Sequence, residues 1–201
     1  MKTLLMKFKK KIYIAICLPA ILVIMLYILQ SQSVIITGNF KDIKPIYKGN
    51  DDIKQMAFAC NVVWGTEYIP GMLNIFKEHG IKITFFIGGQ WAKDNPEMLQ
   101  LISKEGHELG NHGFSHKHHI NLDYNDNLEE IKKTEDIVKD ITGISTNLFA
   151  PPYGEFNNIT LKAASDIGYK TIMWSIDTID WRGDGIDNIV NRVLKRPHNG
   201  A

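Results

Sequence analysis

The distribution of apolar and polar residues divides the chain into unlike parts. Ile12–Leu29 is an unbroken stretch of 18 residues without charge, with only Pro19 to disturb a helix. A helix of that length crosses a bilayer with little tilt. It is longer than the apolar region usual in a cleaved signal peptide, and it lacks the polar face that a core helix keeps. Residues 30–52 are polar and irregular, with Gly38, Pro45, Gly49 and Asn50, and read as a stalk. The pattern then becomes regular. Met56–Val63 is an apolar, strand-like run, Ile69–His79 an amphipathic helix stopped by Gly80, and Lys82–Ile87 a second strand. Asn95 is placed to cap a helix with Pro96 in its first turn, running to Glu105 and ended by Gly106. His107–Asn111 predicts a third strand. Asn125–Thr142 predicts a long helix with Leu128, Ile131, Ile137, Val138 and Ile141 as its apolar stripe. Asn147–Ala150 reads as a fourth strand, Asn157 or Asn158 opens a helix to Ile167, Tyr169–Trp174 is a fifth strand, and Ile186–Lys195 a last helix.

Strand and helix alternate throughout, which predicts an α/β domain of parallel strands joined by helical crossovers. The last helix leads to no further strand, because His198-Asn199-Gly200-Ala201 stands where a sixth would begin. The expectation is a domain over 53–201 that is truncated at its C-terminus. It follows a basic segment (1–11), a transmembrane helix (12–29) and the stalk (30–52).

Charge sharpens this division. The net charge of the 201 residues is +1, yet the first 40 contain Lys2, Lys7, Lys9, Lys10 and Lys11 and no acidic residue, leaving 18 basic against 22 acidic residues downstream, a net of −4. Lysines ahead of an apolar run stay cytoplasmic, so the body is expected outside, anchored to the membrane. Ser31 and Ser33 leave open cleavage and secretion. Nothing in this balance calls for a nucleic-acid partner. Cys17 lies in the apolar run and Cys60 in the first strand, which argues against an internal disulfide and makes Cys60 a small core residue.

Chemistry in a sheet of this kind collects beyond the C-terminal ends of its strands. After strand three, His112 and His116 stand four apart, a spacing at which two imidazoles can share a metal; with His118 and His119 following, a solvated His-rich loop is the alternative. After strand five, Asp177 and Asp180 lie between Trp174 and Trp181, a set suited to holding a sugar ring and orienting an imidazole, or equally to a helix cap beside core tryptophans. After strand four, Pro151-Pro152-Tyr153-Gly154 makes a rigid turn that could aim N–H groups at an oxyanion, or serve structure alone.

Taken together and in this order, the pieces resemble the polysaccharide deacetylase family over about residues 54–201. The resemblance rests on Ile83-Thr84-Phe85-Phe86, on Gly106-His107-Glu108-Leu109-Gly110-Asn111-His112 running into Ser115-His116, on Pro151-Pro152-Tyr153-Gly154, and on Asp177-Thr178-Ile179-Asp180-Trp181. It implies a distorted (β/α) barrel and a divalent metal, usually zinc, with a water attacking the acetyl group of an N-acetylated cell-wall glycan, peptidoglycan or chitin-like. In that scheme His112 and His116 are metal ligands, the Tyr153 N–H supports the oxyanion, Asp180 tunes a catalytic histidine, and Trp181, with Pro152 and Tyr153, walls the sugar groove. Spore-former members of the family share the Trp64-Gly65 end of the first motif, which makes spore cortex or septal wall a possible setting.

The departures from the family pattern fall on the catalytic groups. The first motif, Thr-Phe-Asp-Asp-Gly, supplies a base and a metal ligand; here those positions are Asn61 and Val62. An amide is no general base, and valine binds no metal. A shifted alignment would place Cys60 at the ligand position, giving a Cys-His-His set. The arginine that partners the base is Ala150, and the Leu-x-His that supplies the acid is absent from the chain. The readings left open are a membrane-anchored or exported deacetylase with altered chemistry, a silent domain that binds glycan, and a structural envelope protein.

Overall fold

The computed structural model describes residues 43–201. The expected membrane helix over 12–29 and most of the expected stalk lie outside the described residues; among the described residues no helix is long and apolar enough to cross a membrane. Five strands form one parallel sheet: β1 (Ala59–Val62), β2 (Thr84–Ile87), β3 (Glu108–Asn111), β4 (Leu148–Phe149) and β5 (Lys170–Thr171). Each strand pairs with the next in sequence, in the order β1-β2-β3-β4-β5. That sequential winding is the winding of a (β/α) barrel and not of a doubly wound sheet, whose order reverses midway. The described strands remain an open sheet. Ile46 adds a parallel bridge to Ile172 beyond β5. At the other side, Gly200 donates to Gln55 and Ala57 donates to Ala201, just ahead of β1.

The crossovers are α1 (Ile69–Glu78), α2 (Gly89–Asp94) with α3 (Pro96–Lys104), α4 (Tyr124–Thr142) and α5 (Asn158–Asp166), and α6 (Ile186–Leu194) follows β5. Periodicity missed α2, whose six residues are too few to show a stripe; it buries Trp91, which donates to the Gly65 carbonyl at 2.7 Å. The long helix starts one residue earlier than expected, because the Asp123 side chain caps it by accepting from Asp126 N–H. Asn157 is the cap of α5: its oxygen accepts from Ile159 and Thr160 while the Thr160 hydroxyl closes a capping box. Asn95 precedes α3 but its side chain makes no cap, donating instead to the Trp91 carbonyl. The strands are shorter than the apolar runs that announced them, since pairing stops where the chain turns into its loops.

Alternation along β2 makes the core two-sided. Phe85 and Ile87 join Val62, Leu73, Trp91, Leu99, Ile102 and Val138 between sheet and helices. Phe86 faces the other way, beside Gly110 in register. A Cβ on Gly110 would come within 2.5 Å of the Phe86 ring, so glycine lets that ring lie across β3. A second cluster, Ile131, Phe149, Ala164 and Tyr169, joins α4 and α5 to the β4–β5 side. Leu99 is fully buried, and Leu99→Ala is expected to lower unfolding stability by about 2–5 kcal/mol, as measured by denaturant titration.

Candidate functional site

The site forms where β1, β3 and β4 end. Asn111, the last residue of β3, is fully buried: its amide donates to the Ile131 carbonyl at 2.8 Å and its oxygen accepts from Gly113 at 2.9 Å, which turns the chain sharply after the strand. His112 therefore leaves the strand pointing into the protein. Its Nδ1 lies 2.6 Å from the Ala150 carbonyl. A carbonyl only accepts, so Nδ1 carries the hydrogen and the Nε2 lone pair is left for other work. Burial holds the His112 pKa down to about 4, which keeps the ring neutral at physiological pH. His116 follows with its ring 5.1 Å from that of His112 and with a positive φ of 52°.

The segment between the two histidines is held by Glu130 of α4. Its buried carboxylate accepts from Phe114 N–H at 2.9 Å and from Ser115 N–H at 2.7 Å, and its other oxygen meets Lys117 Nζ at 2.9 Å. Burial pushes its pKa up, but the Ser115 N–H and the Lys117 ammonium outweigh burial and hold it below the ordinary 4.5. Below this loop, His119 is fully buried and pairs through Nδ1 with the Asn127 oxygen at 2.7 Å, while the Asn127 amide donates to the His119, Leu122 and Asp123 carbonyls. His119 is thus part of the scaffold, whereas His118 is exposed, so the run of histidines is not a uniformly solvated loop.

The Pro-Pro-Tyr-Gly turn brings Tyr153 against this loop. Tyr153 has φ 60°, and its ring lies 4.5 Å from His116 and stacks on His118 at 4.0 Å with 7° between planes. His118 Nδ1 contacts Glu155 at 2.7 Å. Pro152, beside it, is buried. Gly154 must be glycine, because a Cβ there would meet the Trp174 ring at 2.7 Å. From β1 comes Trp64, 73% exposed and edge-on to His116 at 6.4 Å.

The remaining expected residues fall elsewhere. Asn61 is exposed on β1, on the face opposite Cys60 and Val62. Val62 is buried among Leu73, Ile87 and Trp91 and is a core residue. Cys60 packs against the same cluster, and burial, then the Asp180 charge, push its thiol up to about 11. Asp180 opens a short 3-10 turn and accepts from the Thr178 hydroxyl at 3.1 Å, and Trp181 beside it is 74% exposed. Among the described residues no hydrogen bond or ring contact joins Trp181 to the His112–His116–Tyr153 group. Asp177 accepts from Trp174 Nε1 and from Ile179 N–H, a local turn contact, and the 3-10 turn that follows has no side-chain cap.

A catalytic zinc takes three protein ligands. Among the described residues no three His, Cys, Asp or Glu side chains converge to hold a metal, and His112 with His116 make only a partial set. Asn111 and Trp64 lie on quoted motifs, but their roles emerge only from burial and ring contacts, and Glu130, in the middle of a helix, carries no sequence signal at all.

A sequentially wound parallel sheet with paired imidazoles at its C-terminal edge and a Pro-Pro-Tyr-Gly turn beside them is the arrangement that the resemblance to polysaccharide deacetylases implies. The polysaccharide deacetylase family model matches residues 48–172, more than half of the chain, and the chain belongs to that family. It is 39% identical to the uncharacterized protein YlxY of Bacillus subtilis over 158 residues, covering 79% of this chain and 50% of that protein. It is 36% identical to a peptidoglycan-N-acetylglucosamine deacetylase of Bacillus cereus over 135 residues, covering 67% of this chain and 49% of that enzyme. Among solved structures, the pseudoenzyme BA3943 of Bacillus anthracis superposes with a TM-score of 0.78 at 36% identity, covering 80% of this chain and 57% of that one. A mutant of BA3943 with restored enzymatic activity superposes with the same TM-score at 34% identity, covering 80% and 59%. The chain spans about half the length of the curated relatives it matches.

Two outcomes follow from this geometry. Imidazole NMR should show His112 neutral down to about pH 4. Glu130→Gln should lose about 1–3 kcal/mol at neutral pH. Because the native pKa is depressed, that stabilisation is present above pH 4.5 and fades as pH falls through the lower native value, so the two proteins should converge in acid unfolding experiments.

Proposed function

We propose that this chain recognises N-acetylated cell-wall glycan, of the peptidoglycan type, at the C-terminal edge of its sheet, and does not turn that glycan over by the family's route. The observation that carries this is the fate of the first motif. The resemblance assigns the ligand position to Val62, and Val62 is packed in the core. The base position is Asn61, whose amide has no proton affinity to offer water. Ala150, at the position of the motif arginine, keeps only its carbonyl in the site, as acceptor for His112. Among the described residues the donors present do not complete a metal site. The peptidoglycan deacetylase relative and the pseudoenzyme BA3943 support the substrate class and the silence respectively. The run Ile12–Leu29 supports an anchor that keeps the domain on the wall side of a membrane.

A second reading, removal of acetyl groups by hydrolysis of the acetamido carbon–nitrogen bond, is favoured by one observation: the His112 Nε2 is free and His116 stands beside it. In that case zinc would be the metal, held by His112, His116 and a donor outside those described. The experiment is acetate release from acetylated peptidoglycan fragments by the full chain, with zinc content measured in parallel. The expected outcome is retention of glycan, no acetate above the blank and less than stoichiometric zinc. Acetate release that disappears in His112→Ala would establish the second reading instead.

A further inference from the structure

The helices α1 to α5 each bury residues in the domain, whereas α6 buries none. Its apolar residues fall into two rows. Ile189 and Val193 are half-buried, while Ile186, Val190 and Leu194, spaced four apart, form a stripe with 78%, 45% and 67% of their surface in solvent. The stripe is not what holds α6 in place. Polar groups do that: Arg192 donates to the Thr178 carbonyl at 2.6 Å and pairs with Asp184, which also takes Arg182. An apolar row on one side of a helix is stable when a second surface covers it. Beside the stripe runs a row of a different kind. Asp187, Asn191 and Lys195 follow the three stripe residues by one position each and so share one flank of them. Asp187 and Lys195 are exposed, and among the described residues neither has an ion-pair partner, although Arg182, Asp184 and Arg192 close by are all paired.

We propose that α6 is a self-association surface, on which two copies of this chain pair antiparallel about a two-fold axis at Val190. A row with an acid at one end, a base at the other and an amide between them is complementary to itself when reversed. In the antiparallel pair Val190 meets Val190 of the second copy, and Ile186 meets its Leu194. On the flank, Asp187 of each copy faces Lys195 of the other, and the two Asn191 amides face each other. Such a contact is isologous and closed, so association stops at the dimer. A parallel pair would set Asp187 against Asp187 and Lys195 against Lys195, and like charges at these positions repel. Interdigitation of rows spaced four apart is also the commonest way in which two helices pack. A lipid surface is the rival occupant. It suits the stripe less well, because helices that lie on membranes carry Lys and Arg along the polar face, and here the carboxylate of Asp187 stands next to Ile186. The pairing is independent of the glycan reading given above.

The test is sedimentation of the full chain in detergent over a concentration series. A dimer with a Kd on the order of 10 µM is expected, weak because one short helix on each side buries less than a standard interface. Val190→Asp, at the centre of the contact, should raise that Kd by more than about tenfold. Asp187→Lys should raise it several-fold, and Asp187→Lys combined with Lys195→Asp should restore it, since the exchange returns opposite charges to both ends of the pair. These side chains are exposed, so thermal unfolding of the variants should match that of the parent. With Cys17→Ala and Cys60→Ala as background, Val190→Cys should form a disulfide-linked dimer under mild oxidation, and Asn188→Cys, on the opposite side of the helix, should not. A chain that sediments as a monomer throughout, a dimer that survives Val190→Asp, or a charge exchange that fails to restore association overturns the pairing. A monomer whose Val190→Cys thiol is shielded from a water-soluble reagent by the micelle assigns the stripe to a lipid surface and overturns it too.

Discussion

A single buried carboxylate organises the mouth of this domain. Glu130 projects from the middle of α4 and takes two consecutive N–H groups, those of Phe114 and Ser115, that the loop after β3 would otherwise leave without partners. A buried N–H without an acceptor costs about 1–3 kcal/mol, so the loop is bound to this shape. The carboxylate is itself expensive to bury, and Lys117, reaching in from the surface, supplies the countercharge. Everything beyond depends on the result. The loop's shape sets where His116 stands, and the His116 ring is the one that Trp64, His112 and Tyr153 all meet.

The same arrangement separates what shapes the mouth from what stands at the motif positions. The residues that shape the mouth, Asn111, Glu130, Asn127 and Gly154, act on backbone and on one another. The positions that the family resemblance marks as catalytic, Asn61, Val62 and Ala150, lie at the ends of strands and carry little of that framework. Substitution there removes reactive groups and leaves the loops in place. Two of the three non-glycine residues with positive φ among those described, His116 and Tyr153, remain against each other in contact.

Much of the fold was legible because its elements obey simple periods. The helix over Asn125–Thr142 shows its stripe, Gly143 ends it in a left-handed cap, and Asn157 announces α5. The short helix Gly89–Asp94 was not legible, because six residues do not complete a stripe. At the site, the spacing of His112 and His116 correctly predicted their juxtaposition. Spacing could not separate His118 from His119, although one is exposed and the other fully buried against Asn127. That difference comes from tertiary packing, through a helix eight residues further along. Asp180 and Trp181 were grouped with the histidines by motif, and their place in a separate turn after β5 is a matter of loop path, which carries no periodic signal.

Val62 has a consequence for the direction in which such a domain can change. Its side chain is packed with Leu73, Ile87 and Trp91 on the helix side of the sheet. Returning a carboxylate to that position means removing apolar packing and placing a charge in its stead, and burying an unpaired charge is among the most damaging single changes a core can suffer. Each further residue that adapts to the valine raises that barrier. A carboxylate at this position therefore comes only with lost apolar packing, whereas a change in the exposed ring of Trp64 touches no core contact.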